Sequence, residues 1–304
     1  MCLYPKFIKN RKYLPNKKNN FNPPELKDIR VSKVPVGCGK CIECLKQKAR
    51  QWQIRLNEEI KVTNFSKFVT LTFNDESLKD LCNELNLKES NAVATLAVRR
   101  FLERWRKKYK KSARHWLVTE LGGENDRIHL HGILFLENDI ETETIAELWK
   151  YGNIFIGAYC NIKTINYIIK YVHKIDVKHK GYQPIVLCSA GLGKTYLEKY
   201  RTKATHVYNG ENTIEYYRLA NGAKVNFPIY YRNHLFNEHE RELLWLHRLE
   251  RAQRFVMGIR IDNIDTEQGY TRYQKILERA QEQNVKLGFG DDSCVYPSNC
   301  SLTS

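Results

Sequence analysis

Long apolar runs are missing from this 304-residue chain. None approaches the roughly 18 residues that a membrane-spanning helix needs, which argues against a helical membrane protein. The opening residues MCLYPKFIKN lack the apolar core of a secretory signal, so the expected location is the cytoplasm. Repeats and low-complexity tracts are absent too, which argues against a solenoid or a largely disordered chain. Acidic residues are the scarce charge: 34 Asp and Glu stand against 50 Lys and Arg, a formal net charge of +16. Such a balance suits a polyanionic partner, nucleic acid first among them. Ten of those excess charges fall in residues 1–50, where thirteen basic residues face only Glu25, Asp28 and Glu43. Nine cysteines are an odd count, and in a reducing compartment they read as metal ligands or core thiols before disulfides. A P-loop is missing as well: GLGKT at 191–195 carries Cys188 where the loop requires its first glycine.

Residues 1–35 mix Lys, Asn and Pro without periodicity and read as an extended or partly ordered basic arm. From residue 67 the pattern sharpens. KFVTLTF is β-rich, and over 92–111 Val93, Ala97, Phe101, Trp105 and Tyr109 recur every fourth residue as the apolar stripe of a helix. The other face of that helix carries Arg99, Arg100, Arg106, Lys107 and Lys110, candidate contacts to DNA phosphates. HWLVTEL and RIHLHGILFL then read as antiparallel strands joined by a GGEND turn. A short helix (141–150), a strand (NIFIGAY) and an amphipathic helix (163–175) follow. The order β-α-β-β-α-β-α predicts an α+β fold: an open, mainly antiparallel, RRM-like sheet with helices on one face. Beyond 176 a hairpin at Asn221-Gly222 and helical stretches over 237–257 and 265–286 complete a mixed, helix-rich C-terminal region. Three parts result: a basic arm with a cysteine cluster (1–62), a core (63–176) and the C-terminal region (177–304).

The strand period of two sends His129, His131, Ile133 and Phe135 to one face of RIHLHGILFL, and Ile128, Leu130, Leu134 and Leu136 to the other. A His-x-His pair alone fits two satisfied histidines as well as a metal site. Glu120, nine residues before His129 and across the turn, adds a carboxylate, and two nitrogens with one oxygen suit Mg²⁺ or Mn²⁺ acting on a phosphodiester. On the 163–175 helix Ile165, Ile168, Ile169, Val172 and Ile175 form one arc. Tyr167, Lys170, Tyr171 and Lys174 form the other, so two phenols one turn apart share a polar face with two ammonium groups. Cys38, Cys41 and Cys44 have CxxCxxC spacing and, with Cys2 as a candidate fourth ligand, fit a structural Zn²⁺; three reduced thiols at a helix start are the plain alternative.

KFVTLTFND, HLHG with Glu120 upstream, and YIIKYVHK, in that order, resemble the three motifs of HUH rolling-circle initiators. The double tyrosine, the opening MCLYP and VGCGKCIEC resemble the replication initiators of the gokushovirus branch of the Microviridae, small single-stranded DNA phages. The resemblance spans roughly residues 1–200. It implies a metal-dependent endonuclease with His129, His131 and Glu120 as ligands, Tyr167 and Tyr171 as nucleophiles, and Lys170 and Lys174 positioning phosphate. It further implies single-stranded or melted viral origin DNA as substrate, host DNA polymerase and helicase as partners, and the host bacterial cytoplasm as the place of action. A non-catalytic single-stranded nucleic-acid-binding protein on an RRM-like sheet is the rival reading; a relaxase or transposase of the same superfamily shares the chemistry.

Overall fold

A computed structural model describes residues 1–290 apart from 87–88, 124–125, 141, 158–159, 175–177 and 180–181. In chain order the elements are β1 (Lys6–Lys9), β2 (Lys33–Val36), α1 (Ile42–Ile60), β3 (Phe65–Leu71), α2 (Asp75–Leu85), α3 (Ser90–Tyr109), β4 (Arg114–Leu121) and β5 (Ile128–Leu136). Next come α4 (Thr142–Trp149), β6 (Ile154–Gly157), α5 (Ile162–His173), β7 (Val186–Cys188), α6 (Thr195–Glu198) and α7 (Tyr200–Thr205). The chain closes with β8 (Tyr216–Arg218), β9 (Lys224–Asn226), α8 (Ile229–Leu235), α9 (Glu238–Glu250), β10 (Arg254–Val256), β11 (Ile259–Ile261) and α10 (Glu267–Lys286). Two compact units result: residues 48–199 form one, and residues 1–47 with 200–304 the other.

The unit of residues 48–199 is built on a five-stranded sheet of order β6-β3-β5-β4-β7, every neighbouring pair antiparallel. Its first four strands and the helices between them make the β-α-β-β-α-β run expected from the sequence, in the order of an RRM-like sheet. The α+β class and the open antiparallel sheet are those of the sequence reading.

Strand alternation sorts the side chains. Val69, Leu71, Leu117, Ile128, Leu130, Leu134 and Leu136 pack on one face against Leu81 of α2, Val93, Ala97, Phe101 and Trp105 of α3, and Trp149 of α4. The opposite face was expected to lie open. It is covered instead: Trp116, Val118, Ile133 and Phe135 pack against Ala49 and Leu56 of α1 and Ile165, Ile168, Ile169 and Val172 of α5. The reason is that both helices carry apolar arcs of their own, α1 within a segment the charge pattern marked as arm and α5 beyond the last strand of the run. Ile175, Glu124 and Asn125, which the sequence reading placed on the α5 arc and in the β4–β5 turn, lie outside the described residues.

In the other unit the N-terminal residues are ordered despite their composition. β1 pairs with β2, Leu3 is fully buried, and Glu242 of α9 takes an ion pair from Lys12 at 2.9 Å and a hydrogen bond from the Tyr13 hydroxyl. The hairpin expected at Asn221-Gly222 is β8–β9. The helix expected over 237–257 stops at Glu250, because Met257 and Gly258 both take positive φ and turn Arg254–Val256 back against Ile259–Ile261 as β10–β11. Among the described residues no helix is long and apolar enough to cross a membrane.

Candidate active site

The polar end of the α1/α5-covered face gathers the chemistry. In the β4–β5 register Glu120 stands directly opposite His129, and Val118 opposite His131. Gly132, the last residue of HLHG, allows this close pairing: a Cβ there would lie 2.0 Å from the carbonyl oxygen of Trp116. His131 Nε2 lies 2.9 Å from Glu120 Oε2, and its Nδ1 lies 3.0 Å from the Thr70 hydroxyl on β3. A carboxylate can only accept, so Nε2 donates to Glu120 and Nδ1 of the neutral ring accepts from Thr70. The other Glu120 oxygen accepts from the Lys174 ammonium. Burial alone would raise the Glu120 carboxyl; the hydrogen bonds from His131 and Lys174 outweigh it and hold the group below the usual carboxylate range.

Helix α5 delivers the two phenols. Its start is fixed by Asn161, whose side chain accepts from the backbone N–H groups of Lys163 and Thr164 while Thr164 answers with its own hydroxyl. The buried isoleucines set the roll of the helix on the sheet. That roll differs from the simple picture of an exposed polar arc: Tyr171 is only 6% exposed and lies flat on the His131 ring, centroids 4.3 Å apart and planes 5° apart, whereas Tyr167 is 48% exposed. The two hydroxyls are 2.9 Å apart and hydrogen-bonded. Burial, then the bond from Tyr167 and the nearby Glu120 charge, push the Tyr171 phenol above its ordinary value. The Lys170 ammonium sits over the Tyr167 ring, 3.7 Å from its centroid, and Lys174 lies 5.7 Å from that of Tyr171.

Two imidazoles and a carboxylate on one sheet face are a donor set that fits a divalent cation. Glu120 and His131 already touch, and His129 is the strand neighbour of Glu120; burial first, then the adjacent imidazole, depress the His129 pKa and favour the neutral form a ligand needs. The donor atoms of all three do not lie within 4.8 Å of one another, whereas those of Cys2, Cys38, Cys41 and Cys44 do. Arg99, Arg100, Arg106, Lys107 and Lys110 are not brought to the site. They sit on α3, which packs against the opposite face of the sheet, and Arg100 is paired with Glu84. The GLGKT turn is bound within the protein: the Gly193 N–H donates to the buried Glu59 carboxylate at 2.6 Å, and Arg114 donates to the Gly191 carbonyl.

Sequence reasoning missed two contributors. Thr70 orients His131, a role that only the β3–β5 register reveals. Phe155 on edge strand β6 stands opposite Thr70, 62% exposed, its ring 6.2 Å from that of Phe68, which in turn lies 6.2 Å from Tyr167. An aromatic row thus runs from the sheet edge to the tyrosines; the exposed phenylalanine in NIFIGAY was its only sequence signal.

Residues 66–176, from β3 through α5, match the family model of the replication-associated protein ORF2. This chain is a relative of phage replication-associated proteins. It is 27% identical over 270 residues to the replication-associated protein VP4 of Bdellovibrio phage phiMH2K, covering 78% of this chain and 80% of the relative. It is 22% identical over 234 residues to the replication-associated protein ORF4 of Chlamydia phage 1, covering 67% of this chain and 54% of the relative. Both phages are gokushoviruses of the Microviridae, the group that the motifs resembled. No solved structure matches.

Proposed function

We propose that this protein nicks and rejoins single-stranded or melted DNA at a phage origin, and so starts and ends rolling-circle replication through a 5′-phosphotyrosine intermediate. The observation that carries the reading is the stack of Tyr171 on His131, with the Tyr167 hydroxyl bonded to that of Tyr171: two candidate nucleophiles meet the paired histidines of the sheet. A non-catalytic binder has no need of that coincidence. Relatives named for replication support the same role.

His129, His131 and Glu120 would hold Mg²⁺ or Mn²⁺, which when bound supplies Lewis-acid polarisation of the scissile phosphate. Tyr167, the exposed phenol, attacks phosphorus first. The bond from phosphorus to the 3′ oxygen breaks as the bond to the tyrosyl oxygen forms. The phenolic proton leaves to solvent, and the 3′ oxygen takes one up from water. Lys170 and Lys174 offset the negative charge that develops on phenol and phosphate. The free 3′-OH is extended by the host polymerase, with a host helicase opening the duplex in the host bacterial cytoplasm. After one round Tyr171 attacks the regenerated junction, and the 3′-OH it releases displaces Tyr167 from the first linkage to close the circle. Each exchange conserves one phosphodiester bond, so no ATP is required.

The test uses the circular single-stranded DNA of the replicon that encodes the protein, with Tyr167→Phe, Tyr171→Phe and the double variant. Tyr167→Phe should slow the first nick more than Tyr171→Phe, and both should fail in circle closure. The double variant should bind DNA without forming an adduct; a covalent adduct surviving in it places the nucleophile elsewhere.

A further inference from the structure

Away from the sheet, in the unit formed by residues 1–47 and 200–304, four of the described cysteines converge. Cys2 comes from the first residues, Cys38 and Cys41 from the turn before α1, and Cys44 from the first turn of α1. Their sulfurs lie within 4.8 Å of one another, with Cys38 Sγ 4.0 Å from Cys44 Sγ and Cys41 Sγ 4.0 Å from Cys2 Sγ. These separations are about twice a disulfide bond, and all four thiols are free. They are close to the edge of a tetrahedron of sulfurs around zinc, about 3.8 Å for Zn–S bonds of about 2.3 Å.

The backbone is shaped around the cluster. The Tyr4 and Cys38 N–H groups donate to Cys2 Sγ at 3.3 and 3.2 Å, and the Cys41 N–H donates to Cys38 Sγ at 3.3 Å. Donors of this kind orient metal-bound sulfur and support its negative charge. Gly39, at φ +78°, makes the turn that brings the Cys41 amide back over Cys38. On the other side, a side chain at position 37 would press on Cys44 Sγ at 3.0 Å.

The surroundings need a staple. The apolar cluster that includes Cys41 has seven buried residues among those described: Leu3, Tyr4, Cys41, Ile42, Val256, Ile261 and Ala280. The helix-packed side of the sheet has nineteen. A core that small gains much from a cross-link or a metal. The chain around the cysteines is also tied to α10: the buried Asn284 side chain accepts from the Ile42 N–H at 2.9 Å, and Gln281 donates to the Leu3 carbonyl at 2.8 Å.

We propose that Cys2, Cys38, Cys41 and Cys44 bind one structural Zn²⁺ ion, which fastens the N-terminal segment onto α10 and the β10–β11 hairpin and is separate from the nicking site. The ion is fully ligated by thiolates, with no open position for water or substrate, so its part is to hold the fold.

The proposal is independent of the nicking chemistry and is tested without it. Full-length protein purified without chelators should contain about one zinc per chain by elemental analysis. Cys38→Ser with Cys41→Ser should remove it and lower the melting temperature, whereas His129→Ala with His131→Ala should keep it. Should the serine variant fail to fold, wild-type protein supplies the answer: capping its thiols with a mercurial should release the zinc to a chromophoric chelator. Exchange with Co²⁺ should likewise give the intense absorption of a tetrahedral cobalt thiolate. Protein that carries no zinc, takes none up when it is added and gives no cobalt-thiolate spectrum overturns the proposal, as does zinc that survives the serine substitutions but is lost with the histidines.

Discussion

The two faces of the central sheet are made by alternate residues of the same strands, and they have been put to opposite uses. On the face toward α2, α3 and α4, apolar side chains run from Val69 to Leu136 and are closed over by three helices. On the face toward α1 and α5 the apolar patch of Trp116, Val118, Ile133 and Phe135 gives way, two residues along each strand, to Thr70, Glu120, His129 and His131. Shifting by one residue along β5 exchanges hydrocarbon for imidazole. Stability and chemistry are thus separable by substitution, although the residues concerned are neighbours in sequence.

The sharpest way to test that separation is to remove a polar residue from the open end. His131→Ala takes away a ligand, the partner of Glu120 and the surface on which Tyr171 lies, and several kcal/mol of transition-state stabilisation should go with it, on the order of a hundredfold or more in nicking rate. Its melting temperature should change little. A variant that unfolds but nicks normally per folded molecule would reverse the roles of the faces.

Leu134→Ala, on the same strand but turned toward α3, is the complementary change. Leu134 is fully buried, so its truncation should cost about 2–5 kcal/mol in chemical denaturation. Nicking per folded molecule should be unchanged well below the melting temperature. An activity loss without a stability loss would show that the closed face also governs the chemistry.

Much of this division was legible in the sequence. The alternation in RIHLHGILFL named the two faces of β5 correctly, the apolar arc of 163–175 named the face of α5 that is buried, and the GGEND turn paired the strands. What stayed hidden depends on contacts between distant residues. Nothing local in residues 42–60 says that their apolar side chains cover the second face. No periodicity reveals that the two ends of the chain share a unit, because that pairing is a matter of tertiary packing. Tyr171 was placed on an exposed arc because the helix wheel fixes angles within a helix but not its roll on the sheet. Thr70 carried no signal of its own, being one β-branched residue in a strand that favours them.

Phe155 offers a gentler probe of the open face. If the aromatic row from Phe155 through Phe68 to Tyr167 stacks bases of the bound strand, Phe155→Ala should weaken single-stranded DNA binding by about 1–3 kcal/mol, with little effect on stability at 62% exposure. Equilibrium titration with a labelled oligonucleotide measures it, and unchanged affinity would remove Phe155 from the DNA path.

The smallest effect belongs to His115, which stands opposite Leu134 and is buried. Burial depresses its folded pKa, so between that value and about 6.5 the unfolded chain binds a proton that the folded chain does not. Stability from this residue is therefore present above about pH 6.5 and declines as pH falls below it. Denaturation at pH 5.5 and 7.5 should show a smaller difference for His115→Asn than for the parent; an equal or larger difference contradicts the assignment.

The central claim is that the paired tyrosines on α5 are the nucleophiles over a histidine–carboxylate site, and the covalent product tests it most directly. The protein is incubated with Mg²⁺ or Mn²⁺ and origin single-stranded DNA, the complex is digested with protease and nuclease, and the nucleotide-bearing peptide is sequenced by mass spectrometry. A 5′-phosphonucleotide on Tyr167 in the first turnover, and on Tyr171 when Tyr167 is replaced by Phe, is the predicted result. A nucleotide attached to any residue outside α5, or cleavage that leaves no protein-bound nucleotide, would contradict it.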